Sequence, residues 1–311
     1  LSIGLSVLGI AASGLSLAHC SFSLDARQVC ADGGSGCTPS ADLGTNRPDL
    51  AMDPDDPGKP GPYKVVRPQV TLGASAANAI SNLVVFAPST DGTTVDRSKA
   101  PYPFVLIAPA RYLALSQLDM YAERLASHGF VVASWFARDA ESHVNYRNAG
   151  LVLINELITS TDSTLMSLCD VRHIGLMGYE LGAKISSAMA VQDTRVGALL
   201  LLDPVDVYTA TGSVLGVQET NNVSLPPGSP IAIFGTPTTA AIMPSCYNMM
   251  QGYKNFYDGI TKVGFKIEFT GAALGDFVAN YPDPPCATGS TMDKSRTQML
   301  TQKYITAYFQ W

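Results

Sequence analysis

Apolar and polar positions divide the chain near residue 63. Before it, residues 19–62 are rich in Gly, Pro, Asp and Ser. Asp53-Pro54-Asp55-Asp56-Pro57-Gly58-Lys59-Pro60-Gly61-Pro62 cannot form the interior of a helix or strand, because proline lacks the N–H that both require. This stretch is expected to be a tether or extended arm. After it, Lys64–Leu72 and Asn82–Ala87 alternate well enough for early strands. Phe104-Val105-Leu106-Ile107-Ala108 is a short continuous apolar run, the pattern of a strand covered on both faces. Similar strands are expected at Phe130–Trp135, Ile174–Gly178, Val196–Leu202, Ile231–Gly235 and Phe265–Thr270. Helical periods cover about 116–128, 144–159, 181–191 and 294–308, with Gly129 ending the first. Strands alternating with helices at this spacing predict an α/β fold: a mostly parallel sheet with helices on both faces, over residues 63–311.

One junction stands out. The strand Ile174–Gly178 runs into Gly178-Tyr179-Glu180-Leu181-Gly182-Ala183 and then a helix. This is the context of the G-x-S-x-G nucleophile elbow, in which the central residue sits on a sharp, strained turn and the flanking glycines avoid clashes. The glycine frame is intact, and Glu180 stands where that motif has serine.

Around this junction the chain resembles the chlorophyllase and polyester-hydrolase (cutinase-like) branch of the α/β-hydrolases. The resemblance runs over residues 61–311. Gly61-Pro62-Tyr63 is similar to the entry to that family's first strand, and Arg124-Leu125-Ala126-Ser127-His128-Gly129-Phe130-Val131-Val132 to a helix-to-strand junction. Leu202-Asp203-Pro204-Val205-Asp206 resembles the segment carrying the acid in chlorophyllases. Phe269-Thr270-Gly271-Ala272-Ala273-Leu274-Gly275-Asp276-Phe277 resembles the histidine loop. The resemblance implies an α/β-hydrolase fold with Glu180 at the nucleophile position, Asp203 at the acid position and Leu274 at the histidine position. In the polyester-hydrolase pattern the acid follows Ile233-Phe234-Gly235, where this chain reads Thr236-Pro237-Thr238-Thr239. The first oxyanion donor is implied in the loop after Ala108, at Ala110 with Arg111 beside it, and the second at the backbone N–H of Leu181.

Two of three triad members are therefore changed. The histidines are His19, His128, His143 and His173, none of them late in the chain. A serine hydrolase needs a hydroxyl and a base within hydrogen-bond reach. His143, expected in a solvated loop after the Val131–Trp135 strand, is the one candidate for a replacement base. Four fates for Glu180 follow: an ion pair with Arg111 that plugs the pocket, a cation site with Asp203 or Asp206 and Asp276, a carboxylate facing solvent, or covalent chemistry. A helix N-terminus favours a carboxylate in each case. The leading expectation is a catalytically inactive homologue that binds a protein partner or an apolar ligand. The alternatives are a carboxylic-ester hydrolase built on Glu180, His143 and Asp203, and a structural subunit of a membrane or pigment–protein assembly. No cofactor or metal is implied.

Other residues change this picture little. Net charge is −6 with no Lys/Arg-rich run, which argues against nucleic acid as a partner. Asp119, Tyr121 and Glu123 read as a solvated helix face. Tyr247, Met249, Met250, Tyr253, Phe256 and Tyr257 read as core, or as an apolar groove of the kind chlorophyllases need. Asn222-Val223-Ser224 is a glycosylation sequon, relevant only in a host that glycosylates exported proteins.

Leu1–Ala18 is apolar or small and uncharged, as in the core of a secretory signal. It reads as a cleaved signal ending at Ser16-Leu17-Ala18, as a lipidation site at Cys20, or as a retained anchor at the lower limit of a membrane span. Each implies an exported protein: secreted, periplasmic or membrane-tethered, with an organelle lumen such as the thylakoid also open. Export permits disulfides. Cys30 with Cys37, and Cys246 with Cys286, are the candidate pairs, and Cys169 is expected as a free core thiol. Chlorophyllases also tend to have cysteines at the positions of Cys246 and Cys286. None has zinc-like spacing.

Overall fold

The computed structural model describes residues 56–111, 113–159, 167–205, 230–237, 252–259, 264–281 and 290–310, within a unit spanning Ala51–Trp311. Leu1–Ala18, Cys20, Cys30, Cys37, Asp206, Asn222-Val223-Ser224, Tyr247, Met249, Met250, Cys246 and Cys286 lie outside the described residues. Among the described residues no helix is long and apolar enough to cross a membrane.

Among the described residues eight strands form one sheet: β1 (Lys64–Val66), β2 (Ile80–Ser89), β3 (Tyr102–Ala108), β4 (Val131–Ala137), β5 (Cys169–Tyr179), β6 (Val196–Leu202), β7 (Ile231–Gly235) and β8 (Phe265–Glu268). Their order is β1-β2-β4-β3-β5-β6-β7-β8. The two strands of the first hairpin are antiparallel to their neighbours, and every pair from β4 to β8 is parallel. Among the described residues the helices are α1 (Ala74–Ala79), α2 (Asp119–Ser127), α3 (His143–Thr159), α4 (Leu181–Gln192), α5 (Tyr253–Gly259) and α6 (Lys294–Gln310). The protein is an α/β fold with a mostly parallel eight-stranded sheet.

The continuous apolar run of β3 is explained by burial on both faces. Phe104, Leu106 and Ala108 pack into one core with Trp135, Tyr146 and Met189, residues of β4, α3 and α4. Val105 and Ile107 point the other way, into a second core with Tyr121, Leu125, Ile305 and Tyr308 of α2 and α6. Gly129, at φ 93°, ends α2 in a Schellman turn: Phe130 N–H donates to Leu125 O and Gly129 N–H to Ala126 O. The left-handed conformation there suits glycine alone.

Several expectations are corrected. The packed domain begins before Tyr63, because Gly61 N–H donates to Ser127 Oγ at 2.9 Å and the carbonyl of Lys59 lies 2.9 Å from His128 Nε2. Helix α1 was not expected, since Ala-Ser-Ala-Ala-Asn-Ala has too few large apolar residues to register a period. Tyr121 is fully buried, not solvated, and its hydroxyl donates to Phe277 O. Tyr253 and Phe256 are core residues. Cys169 is free and buried, as expected, and burial pushes its thiol up to about 12.

Candidate functional site at the carboxyl end of the sheet

Residue 180 sits on the tight bend between central strand β5 and α4. Its backbone has φ 52° and ψ −117°, a region that residues with a side chain avoid. Both glycines of the motif are sterically required. A Cβ on Gly178 would lie 2.2 Å from Gly182 O, and one on Gly182 would lie 2.0 Å from Ala108 O. The first turn of α4 thus presses directly against the ends of β5 and β3. Neighbouring strands hold the bend in place. Glu180 N–H donates to Leu202 O at 3.0 Å, and Glu180 O accepts from Ala183 N–H at 3.1 Å. Glu180 is partly exposed, and its side chain makes no capping bond to the helix it begins.

Asp203 follows β6, the next strand over, and also has positive φ, 41°. Glu180 and Asp203 are the two non-glycine residues with positive φ among the described residues, and they end adjacent parallel strands. Asp203 is fully buried. Its carboxylate accepts Thr236 N–H at 3.3 Å and the Thr236 hydroxyl. Thr236 directly follows β7, so the two positions at which an acid was expected, residues 203 and 236, touch each other: Asp203 at one is bound by the threonine at the other.

Leu274 is buried and opens a short 3-10 turn after β8, Leu274–Phe277. Its carbonyl accepts the Tyr179 hydroxyl at 2.9 Å. Tyr121 holds the other end of the same turn through Phe277 O. Two tyrosines therefore fix the loop that carries Leu274, the residue expected at a histidine position. The Tyr179 hydroxyl is pushed well above its ordinary pKa, first by burial and then by Tyr281, Glu180 and Asp203 nearby. Tyr179 thus links the elbow to the post-β8 loop through its bond to Leu274 O. Asp276 serves its own turn, accepting Ala273 N–H at 2.8 Å. Among the described residues no group of three His, Cys, Asp or Glu side chains could hold a metal ion, so Glu180, Asp203 and Asp276 do not assemble a cation site, one of the four fates open to Glu180.

On the other side of the elbow, Ala110 is buried and begins a turn closed by Leu113 N–H to Ala110 O at 3.1 Å. Arg111 pairs with Glu141, joining the loop after β3 to the loop after β4. His143 is corrected from a solvated loop residue to a buried one, 4% exposed, at the first position of α3. One turn later Tyr146 donates its hydroxyl to Pro109 O at 3.1 Å, which ties the start of α3 to the loop beside Ala110. Leu181 is buried at the first position of α4. Tyr179, Thr236, Glu141 and Tyr146 were not singled out from sequence. Of these only Tyr179, inside the glycine frame, carried a local signal. No model of a known protein family matches the chain, and no curated protein matches its sequence.

Proposed function

We propose that this chain is an α/β-hydrolase-like protein of the chlorophyllase and cutinase-like type that no longer works as a serine esterase and uses the elbow region for binding. The observation that carries the reading is Glu180 at φ 52° and ψ −117° between two sterically required glycines. Such backbone strain persists only where the surroundings over-determine it. The strained bend is therefore maintained around a residue that lacks a nucleophilic hydroxyl. The strand order and the central position of β5 support the same parentage. At the histidine position stands buried Leu274, which can neither take a proton from a nucleophile nor activate water.

The test is a fluorophosphonate label together with hydrolysis of a short-chain nitrophenyl ester. The wild-type chain is expected to show neither labelling nor turnover above a heat-denatured control. The variant Glu180→Ser with Leu274→His is expected to gain both. Robust wild-type turnover abolished by Glu180→Gln would overturn the proposal. That result would favour the second reading, an ester hydrolase using Glu180, Asp203 and His143. One observation speaks for it: His143 is buried at the carboxyl end of the sheet, near the loop that would carry the oxyanion donor.

A further inference from the structure

A cavity of about 680 Å3 opens at the other end of the sheet, around the starts of β3, β5 and β6 and the residues leading into β4 and β7. From Gly175 to Glu180 is five residues of strand, about 16 Å at the rise of an extended chain, so this cavity is separate from the elbow. Its walls are apolar, with Phe130, Ile174, Tyr308 and Phe309 prominent. Its floor is low because two strand positions there have no side chain, Gly175 and Gly197. At Gly175 the space is already taken, since a Cβ would lie 2.6 Å from the Phe309 ring. At Gly197 it is open: the nearest heavy atom to a Cβ would be Ile174 O at 3.9 Å.

The rim decides what could lie in this trough. The chain carries a net charge of −6, yet no carboxylate lines the cavity among the described residues, whereas Arg172 and His173 do. Asp170 takes Nε and Nη2 of Arg172 and Nδ1 of His173. It does not itself line the cavity. Arg172 Nη1 carries no hydrogen bond to the described residues, and the side chain is 77% exposed. His128, also at the rim, is occupied by Lys59 O and Gln310, so among the described residues Arg172, His173 and the second amide N–H of Gln310 are the side-chain donors left to the cavity. An apolar trough with N–H donors and no lining carboxylate among the described residues suits an alkyl chain ending in an anion better than one ending in a cation.

We propose that this groove is a binding site for a free long-chain carboxylate, its chain along Phe130, Ile174 and Phe309 and its carboxylate on Arg172. The experiment titrates dodecanoate, below its micelle-forming concentration, into the full chain by calorimetry, with dodecylammonium as the oppositely charged control. One dodecanoate per chain is expected to bind, with dodecylammonium at least tenfold weaker. Gly197→Leu fills the open floor and is expected to abolish binding while circular dichroism stays native. Arg172→Gln changes an exposed side chain and is expected to weaken dodecanoate by about three- to fivefold, the scale of a solvated ion pair. It keeps the site testable even where Gly197→Leu fails to fold. Absence of dodecanoate binding, equal binding of dodecylammonium, full binding by a folded Gly197→Leu variant, or an Arg172→Gln variant that binds as wild type would each overturn the proposal.

Discussion

The elbow strain makes a prediction that separates backbone from side chain. Two variants, Glu180→Ala and Glu180→Gly, both remove the carboxylate and every contact it makes. They differ only in a Cβ. At an ordinary position alanine is favoured, because glycine loses more chain entropy on folding, by about 0.4–1 kcal/mol. At φ 52° and ψ −117° the order should reverse. A side chain held in such a region costs about 1–3 kcal/mol, so the difference after the entropy term is about 1–2 kcal/mol in favour of glycine. For a domain of this size each kcal/mol moves the melting temperature by about 2–4 °C. The glycine variant should thus melt about 2–8 °C above the alanine variant, and urea titration should give the same order with equal m-values. An alanine variant as stable as the glycine variant, or more so, would mean that residue 180 is not held in the strained bend. Glu180 would then not stand on a nucleophile-elbow turn, and the proposed function would fall with it.

Two further outcomes test the surroundings of the site and of the sheet. Thr236→Val removes the hydroxyl that donates to the fully buried Asp203 carboxylate while keeping the shape, and should cost about 1–3 kcal/mol in urea unfolding; a loss below about 0.5 kcal/mol would show that this bond does not hold the β6 and β7 ends together. At Asp193, burial works to raise the pKa, but the side-chain and backbone N–H bonds from Arg195 outweigh it and leave the carboxyl below its ordinary value. Its stabilisation is therefore present above the unfolded-state pKa near 3.9 and is lost as pH falls through the lower folded value. Asp193→Asn should be less stable than wild type at pH 7, with the deficit shrinking as pH falls below about 4; a deficit independent of pH would refute this origin.

The sequence alone determined those features whose cause is local. The apolar runs at Phe104–Ala108, Val196–Leu202 and Ile231–Gly235 mark strands because a strand buried on both faces has no polar position to show. Helix α3 was expected to within a residue of where it begins, since an amphipathic period over four turns is hard to mimic. The strained bend at Glu180 was legible because glycines at 178 and 182 flank it at the spacing that such a turn needs. The tertiary structure decided the rest, and every instance is a contact between residues distant in the chain. Thr236 reaches Asp203 only because β6 and β7 are paired in register, Leu202 beside Phe234. Arg111 meets Glu141 only because β3 and β4 end side by side. Tyr121 and His143 are buried because other elements cover them, and no residue in their own helices records that cover. A side chain's position along its element is written in the local period; its partner is set by strand order and register, which come from burying many apolar surfaces at once.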